Sequence, residues 1–352
     1  MFTLARLFFL LRRKGATMAM MPSVERFTCR VCSTSSDCEV VSLQEMMYGS
    51  RETFAYVLCS HCGSLQIRDI PSDLGRYYRS DYYSQLPRTE PPALVGLKRV
   101  LMRWYCRSAA VQPHAKCASM IRHLLPVPGD FLMVGSYLRE AQLRSVDERI
   151  LDVGCGASPH RLAAMRRCGF AAVEGVDPFV EEDTVYEGVP VHRNSIKEVN
   201  GVFGLVMFHH SLEHVPDPVA TLKEAARLLR PGGTCLVRMP LMGTYCWRRF
   251  GVNWVELDAP RHLHLMTRQA MDILARRAGF RVRNTSYDSQ PWEIASSILY
   301  QRGIPLRSSG NSGSLKPESP FSQDEKDAFA KLVSELNQQG DAGRGCFNLE
   351  RC

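Results

Sequence analysis

The chain has 352 residues, with 44 Lys plus Arg against 36 Asp plus Glu (net charge +8), and 45% apolar and 23% charged residues. This is ordinary globular composition, enough for roughly two domains at about 150 residues each, and it excludes a disordered, collagen-like or coiled-coil chain. The mild positive balance permits an anionic partner, such as a phosphorylated substrate or RNA, without demanding one.

In chain order, the opening stretch MFTLARLFFLLRRKG mixes charge with an apolar run at 7–11. That run is too short to span a bilayer, so no transmembrane segment is expected. Residues 1–23 are read as a flexible amino-terminal extension, with a membrane-surface role as the alternative. The 13 cysteines are odd in number and unevenly spaced, unlike a secreted disulfide framework. The expected compartment is the reducing cytoplasm, where paired cysteines point to metal.

Residues 24–70 carry short β-type runs and two CxxC pairs, Cys29/Cys32 and Cys59/Cys62. Four thiolates on two tight turns suit tetrahedral zinc, and a site with no open position is structural. Cys38 and His61 compete as ligands, but neither completes a second knuckle. The alternatives are chance pairs with free thiols and a redox pair, although neither CxxC opens a helix in a βαβ unit. Residues 71–148, rich in Tyr, Arg and Leu, read as a helical connector or cap.

Residues 149–287 alternate strand-like and helix-like segments. Strands are expected at 149–153, 171–176, 189–192, 203–208, 234–239 and 280–287, and helices at 159–168, from Pro218 to the Pro231-Gly232-Gly233 stop, and at 267–278. The continuous apolar run FGLVMF (203–208) fits a strand buried on both faces. Such alternation predicts an α/β fold, a mainly parallel sheet with helices on both sides. In the tail, residues 308–319 read as an exposed loop, 324–338 as a helix, and 343–352 as a final antiparallel strand. Residues 288–342 would then be an insertion covering a pocket, with Trp292, Ile294, Ile298 and Leu299 as its apolar lining.

Asp152-Val-Gly154-Cys155-Gly156 lies where the first strand of this block meets its helix. Glycines there let backbone amides approach a ligand at the carboxyl edge of the sheet. A dinucleotide fingerprint would need glycine at 159, where this chain has Pro. A carboxylate at 152 repels pyrophosphate but suits ammonium or sulfonium charge. Asp177, at the next strand end, can accept both hydroxyls of a ribose.

With ILDVGCG (150–156), GVD (175–177), SLEHVPDP (211–218) and LLRPGG (228–233) in this order, the sequence resembles the class I S-adenosylmethionine-dependent methyltransferases over about residues 149–287. The resemblance implies a Rossmann-like seven-stranded methyltransferase sheet whose last strand is antiparallel. It implies a methionine end lined by Asp152, Gly154, Cys155 and Gly156, a ribose held by Asp177 with Pro178 beside it, and adenine near Asn194, Ser195 and Ile196. Many members carry an acid where this chain has Ser195, and a third glycine where it has Ser158. Together with the small amino-terminal zinc-ribbon domain, the chain resembles a narrower group that methylates nucleotide-linked sugars and related small molecules. The stretches YYRSDYY (77–83) and DAPRHLHL (258–265) strengthen that likeness. In such enzymes the tyrosine stretch lies near the cofactor pocket; a packed interdomain helix is the alternative. The implied domains are the zinc module at 24–70, the connector at 71–148 and the methyltransferase domain at 149–352.

Methyl transfer to a weakly acidic acceptor needs a base. Histidine fits that task, and five of the ten histidines cluster at 209, 210, 214, 262 and 264. His209 is expected against the cofactor and His214 as a structural residue at the helix entry. His210, His262 and His264 are the candidate bases, with substrate binding or packing as the alternative for each. His262 and His264, two apart in an extended segment, should face the same side, and Arg261 could grip a phosphate or carboxylate. The preferred acceptor is a small molecule or nucleotide-sugar-like glycan precursor. The second reading is an RNA or protein methyltransferase using the zinc module on a polymer, with Arg99, Arg103, Trp104, Arg107 and Lys116 as a weak basic-aromatic stripe. A third is a non-catalytic binding protein that keeps the fold.

Overall fold

The computed structural model describes residues 23–78, 100–107, 134–307 and 320–352, except 102, 106 and 136. The amino-terminal extension, Tyr82 and Tyr83 of the tyrosine stretch, Arg99, Lys116 and the polar loop 308–319 lie outside the described residues.

Two sheets organise the molecule. The larger contains β5 (Ile150–Val153), β6 (Val173–Val176), β7 (Thr184–Tyr186), β8 (Val189–His192), β9 (Phe203–His209), β10 (Leu229–Pro240), β12 (Phe280–Tyr287) and β13 (Arg344–Arg351), in the order β12-β13-β10-β9-β5-β6-β8-β7. Strands β5, β6, β8, β9 and β10 are parallel, and β13 runs antiparallel to both β10 and β12. The sheet therefore has eight strands instead of the expected seven. The extra one, β7, is an edge strand folded back on β8 through residues 187–188. Glu187 and Gly188 there have φ of +47° and +77°, the pair of positive φ values that a tight two-residue hairpin requires.

All of β9 is buried, as its uninterrupted apolar run demands at the centre of a covered sheet. The helix Pro218–Leu228 begins on Asp217, whose side chain accepts the Ala220 N–H, and buries Val219, Leu222, Ala225 and Leu228 on one face. It ends before Pro231, and β10 starts directly at Leu229, with a register irregularity before Thr234. The glycines at 232 and 233 thus sit inside an irregular strand start, and the helix ends at Leu228, earlier than the stop the sequence suggested. Helix Arg268–Arg277 precedes β12. Among the described residues, no helix is long and apolar enough to cross a membrane.

The second sheet joins β1 (Val24–Thr28), β2 (Ser35–Gln44), β3 (Thr53–Leu58) and β4 (Leu65–Ile67) in antiparallel order. Its fifth strand, β11 (His264–Leu265), comes from the segment that follows β10 and pairs with β4. A shared apolar core underlies this junction, uniting Leu43, Tyr56 and Ile67 with Trp254, Leu263 and Ile294. Helices Pro291–Gln301 and Gln323–Gln339 complete it: Ile294, Leu299, Phe329 and Val333 are all buried there. Ile294 and Leu299 therefore fill a core, not the pocket lining expected of them, because the helix that carries them packs against the second sheet.

Arg261 welds the two halves. It is fully buried, and its guanidinium donates to Asp258 Oδ1 (2.6 Å), to Glu45 Oε1 (2.9 Å) and to the Tyr77 carbonyl (3.1 Å). These internal partners overturn its expected role as a phosphate or carboxylate grip. A guanidinium suits the task because its planar fork serves several oxygens at once. Arg261→Met would leave two carboxylates buried without their cation. The expected loss is about 3–5 kcal/mol of folding stability, read as a lower urea midpoint at unchanged slope.

Candidate active site and metal centre

The four cysteines converge. Cys29 and Cys32 lie between β1 and β2, and Cys59 and Cys62 between β3 and β4. Their turns repeat one geometry: Ser33 N–H donates to the Cys29 carbonyl (2.8 Å) and Gly63 N–H to that of Cys59 (2.9 Å). Ser33 and Gly63 both have positive φ, +61° and +70°. Sγ–Sγ distances of 3.7 Å join Cys29 to Cys62 and Cys32 to Cys59. A zinc–sulfur bond of 2.3 Å gives tetrahedral edges of about 3.8 Å, so this sulfur set has the dimensions of a closed zinc site. Gln66 Nε2 donates to Cys29 Sγ (2.8 Å) and Ser64 Oγ lies 3.1 Å from Cys62 Sγ, outer contacts of the kind that orient thiolates. Cys38 is buried against the Ser36 carbonyl, and His61 is exposed outside the cluster.

The knuckles dock on the larger half. Thr267 Oγ1 donates to the Cys62 carbonyl (2.6 Å), Gln269 Nε2 to that of His61 (3.1 Å), and Arg277 to those of Arg30 and Val31.

At the carboxyl edge of the parallel strands, Gly154 and Gly156 take φ of +73° and +70°. A Cβ on Gly154 would stand 2.5 Å from Ser211 Cβ, so that turn has no room for a side chain. Asp152 is buried, and its Oδ1 has no hydrogen-bond partner; burial pushes its carboxyl up to about 7. A buried carboxylate with an orphaned oxygen fits a cationic ligand. Asp177 accepts Gly156 N–H at Oδ2 and Phe179 N–H at Oδ1, both 2.9 Å. Those bonds aim the carboxylate and leave lone pairs for two hydroxyls. Cys155 Sγ lies against Gly175, and Pro178 is exposed beside Asp177. Asn194 follows β8, and Ser195 caps the short turn Ile196–Glu198 through the Glu198 side chain. Its hydroxyl is thereby engaged, while the Ile196 side chain is buried.

The histidines separate into distinct roles. His209 is buried at the end of β9, its ring 4.9 Å from that of Tyr137 and both ring nitrogens unpartnered. His210 has a φ of +53°. Its Nε2 accepts from the Arg238 guanidinium, and its Nδ1 lies 3.3 Å from Glu213 Oε1. Burial and the Arg238 charge hold its imidazole well below the usual range. His262 sits in a turn before β11, not in an extended run: its Nδ1–H donates to the Glu256 carbonyl (2.8 Å), and its ring meets that of His214 at 4.7 Å. His264, in β11 opposite Gln66, is buried on the side of the cysteine cluster, and burial brings its imidazole down to about 4.

Other groups here carry no sequence signal of their own. Glu213, inside the SLEHVPDP motif, is fully buried with neither oxygen hydrogen-bonded, and burial raises its carboxyl to about 8. Arg238 pairs with Asp288, and Arg344 with Glu256 and Glu293. Pro240 stands opposite Arg344 in the β10–β13 register, so both arginines reach the same rim. Only folding brings 213, 238, 262 and 344 together.

Residues 131–285 match the family described as "Methyltransferase domain". That segment of the chain is similar to methyltransferase domains. A ubiquinone biosynthesis O-methyltransferase of Psychrobacter arcticus is 30% identical over 165 residues, 40% of this chain and 62% of that protein. One from Xanthomonas oryzae is 35% identical over 141 residues, 35% of this chain and 57% of that protein. The chain thus spans about three fifths of the length of these relatives. Among solved structures, an S-adenosylmethionine-dependent methyltransferase from Mesorhizobium loti aligns at 16% identity and a TM-score of 0.36, over 68% of this chain and 99% of that one.

Two outcomes follow for the cysteine cluster and the glycine turn. Cys32→Ser is expected to remove one zinc equivalent per chain and to lower the melting temperature by about 10 °C or more, measured by metal analysis and calorimetry. For the cofactor, a sulfonium cation favours the ionised form of Asp152, which must shed a proton below pH 7. Affinity should therefore fall about fivefold from pH 7 to pH 6, and Asp152→Asn should flatten that dependence in titration calorimetry.

Proposed function

We propose that this chain transfers the methyl group of S-adenosylmethionine to a small-molecule acceptor, and that a zinc ion in the Cys29/Cys32/Cys59/Cys62 cluster holds the amino-terminal sheet in place. The observation that carries the reading is the orphaned, buried Asp152 oxygen beside a glycine turn too tight for a side chain, with Asp177 oriented on the adjoining strand. When bound, the cofactor supplies an electrophilic methyl carbon. Asp152, Gly154, Cys155 and Gly156 would hold its methionine end, Asp177 and Pro178 its ribose, Asn194, Ser195 and Ile196 its adenine, and His209 the edge nearest the sheet.

The acceptor would lie over His210, Glu213, His214 and His262. His210 has one ring nitrogen on Arg238 and the other turned to Glu213, which suits positioning. His262 keeps Nε2 available because its Nδ1–H is fixed on the Glu256 carbonyl, and it is the histidine we favour to take the acceptor's proton. His264 belongs with the structural contacts of the cysteine cluster. A nucleotide-sugar-like acceptor remains our preferred chemistry, and the O-methyltransferase relatives favour a small molecule. Docking of the knuckles against Thr267, Gln269 and Arg277 supports the same choice over a polymer, since it commits part of their backbone to the larger half.

His262→Ala should leave cofactor affinity near wild type and lower turnover at least tenfold, whereas His264→Ala should lower the melting temperature first. Unchanged turnover of His262→Ala on a hydroxylated acceptor panel would remove it from the proton-transfer role.

A further inference from the structure

Glu213, His214 and His262 form a cluster beneath the region proposed for the acceptor. His214 Nδ1 lies 2.9 Å from the Arg261 carbonyl and 2.9 Å from Tyr78 Oη. A carbonyl only accepts, so this nitrogen carries the hydrogen and Nε2 carries the lone pair. The same logic fixes His262, whose Nδ1–H donates to the Glu256 carbonyl at 2.8 Å. Its Nε2 stands 4.0 Å from Asp258 Oδ2, beyond hydrogen-bonding distance. Glu213, fully buried, has neither carboxylate oxygen hydrogen-bonded. One ring nitrogen of each histidine and one Glu213 oxygen lie within 4.8 Å of one another. With Glu213 ionised, two imidazoles and a carboxylate this close together make a donor set that a cation would satisfy.

We propose that Glu213, His214 and His262 form a second metal site, which binds one divalent transition-metal cation of the zinc class through two imidazoles and a carboxylate. Imidazole ligands favour zinc and its first-row neighbours over magnesium or calcium, which prefer all-oxygen shells. Each imidazole already has its other nitrogen on a backbone carbonyl, the outer contact that metal-bound histidines show. His210 Nδ1, 3.3 Å from Glu213 Oε1, faces that carboxylate from outside the cluster. The present spacing exceeds the edges of about 3.4 Å expected around a bound ion, and the unbonded Glu213 carboxylate is free to swing inward. Three protein ligands leave a fourth position open, unlike the closed four-sulfur cluster. With the ion bound, His262 Nε2 is a ligand and no longer a base, and the ion would take over that task as a Lewis acid that favours the ionised form of an acceptor hydroxyl. This role rests on the methyl-transfer reading; the site itself does not.

The test is metal content of the full chain after zinc loading and dialysis, read by mass spectrometry beside circular dichroism and cofactor calorimetry. Two zinc equivalents per chain are expected, falling to one in Glu213→Gln and in His262→Gln while cofactor binding persists. A single equivalent in the wild type, unchanged in both variants, overturns the site. Should the variants fail to fold, cobalt loading of the wild type decides. A second cobalt with weak visible bands and no thiolate charge-transfer absorption supports the site, and its absence overturns it. A one-metal chain that still transfers methyl groups would overturn the cation site and leave the methyl-transfer reading standing, with His262 as a free base.

Discussion

The arrangement depends on a cation buried where two sheets meet. Arg261 lies fully buried among Asp258, Glu45 and the Tyr77 carbonyl. Moving those charges out of water is costly, and only close, multiply bonded geometry offsets it. That geometry is available because Glu45 ends one strand run, Asp258 adopts a left-handed turn at φ +37°, and Tyr77 closes the segment after the cysteine sheet. With Arg261 fixed, the next residue is fixed too. Tyr56 Oη donates to the His262 carbonyl at 2.9 Å, and His262 is turned onto His214. The cysteine sheet thereby sets the position of an imidazole at the rim of the other sheet.

This coupling runs through the amino-terminal unit. Its sulfur cluster lies behind β4, β4 pairs with β11, and β11 follows His262 by one residue. A metal that rigidifies the knuckles would rigidify this path. Arg277, Thr267 and Gln269 add hydrogen bonds from the helix Arg268–Arg277 and its cap. The amino-terminal unit is thus joined to the segment around His262 by strand pairing, and to the helix Arg268–Arg277 by side-chain hydrogen bonds.

Much of the fold was legible because periodicity and punctuation agreed. Phe203–His209 announces a central strand by its unbroken apolar run, and Asp217-Pro218 announces a helix start by cap and proline. Gly154 and Gly156 announce a tight turn, and the turn has no room for a side chain. The cysteine spacing announced a four-sulfur cluster. Less legible was whatever depends on distant segments meeting. Arg261 looked like an anion grip because its partners Glu45 and Tyr77 are about two hundred positions away. Glu213 stands in a quoted motif, yet nothing local in the sequence marks its carboxylate as fully buried. The two-residue strand His264–Leu265 is too short for any periodic signal, yet it completes a sheet. The edge strand β7 was hidden because three residues beside a tight turn resemble a loop.

The place of β13 has a consequence for how the chain reaches this shape. Arg344–Arg351 is late in the sequence but interior in the sheet, flanked on both sides by strands made earlier. During synthesis β10 and β12 must wait as neighbouring open edges, with unmet backbone donors and acceptors, until that segment emerges. Vectorial assembly of the Rossmann-like half is thus incomplete until its final wedge arrives. Early-made strands in such a layout favour chaperone capture or intermolecular strand exchange in the interval.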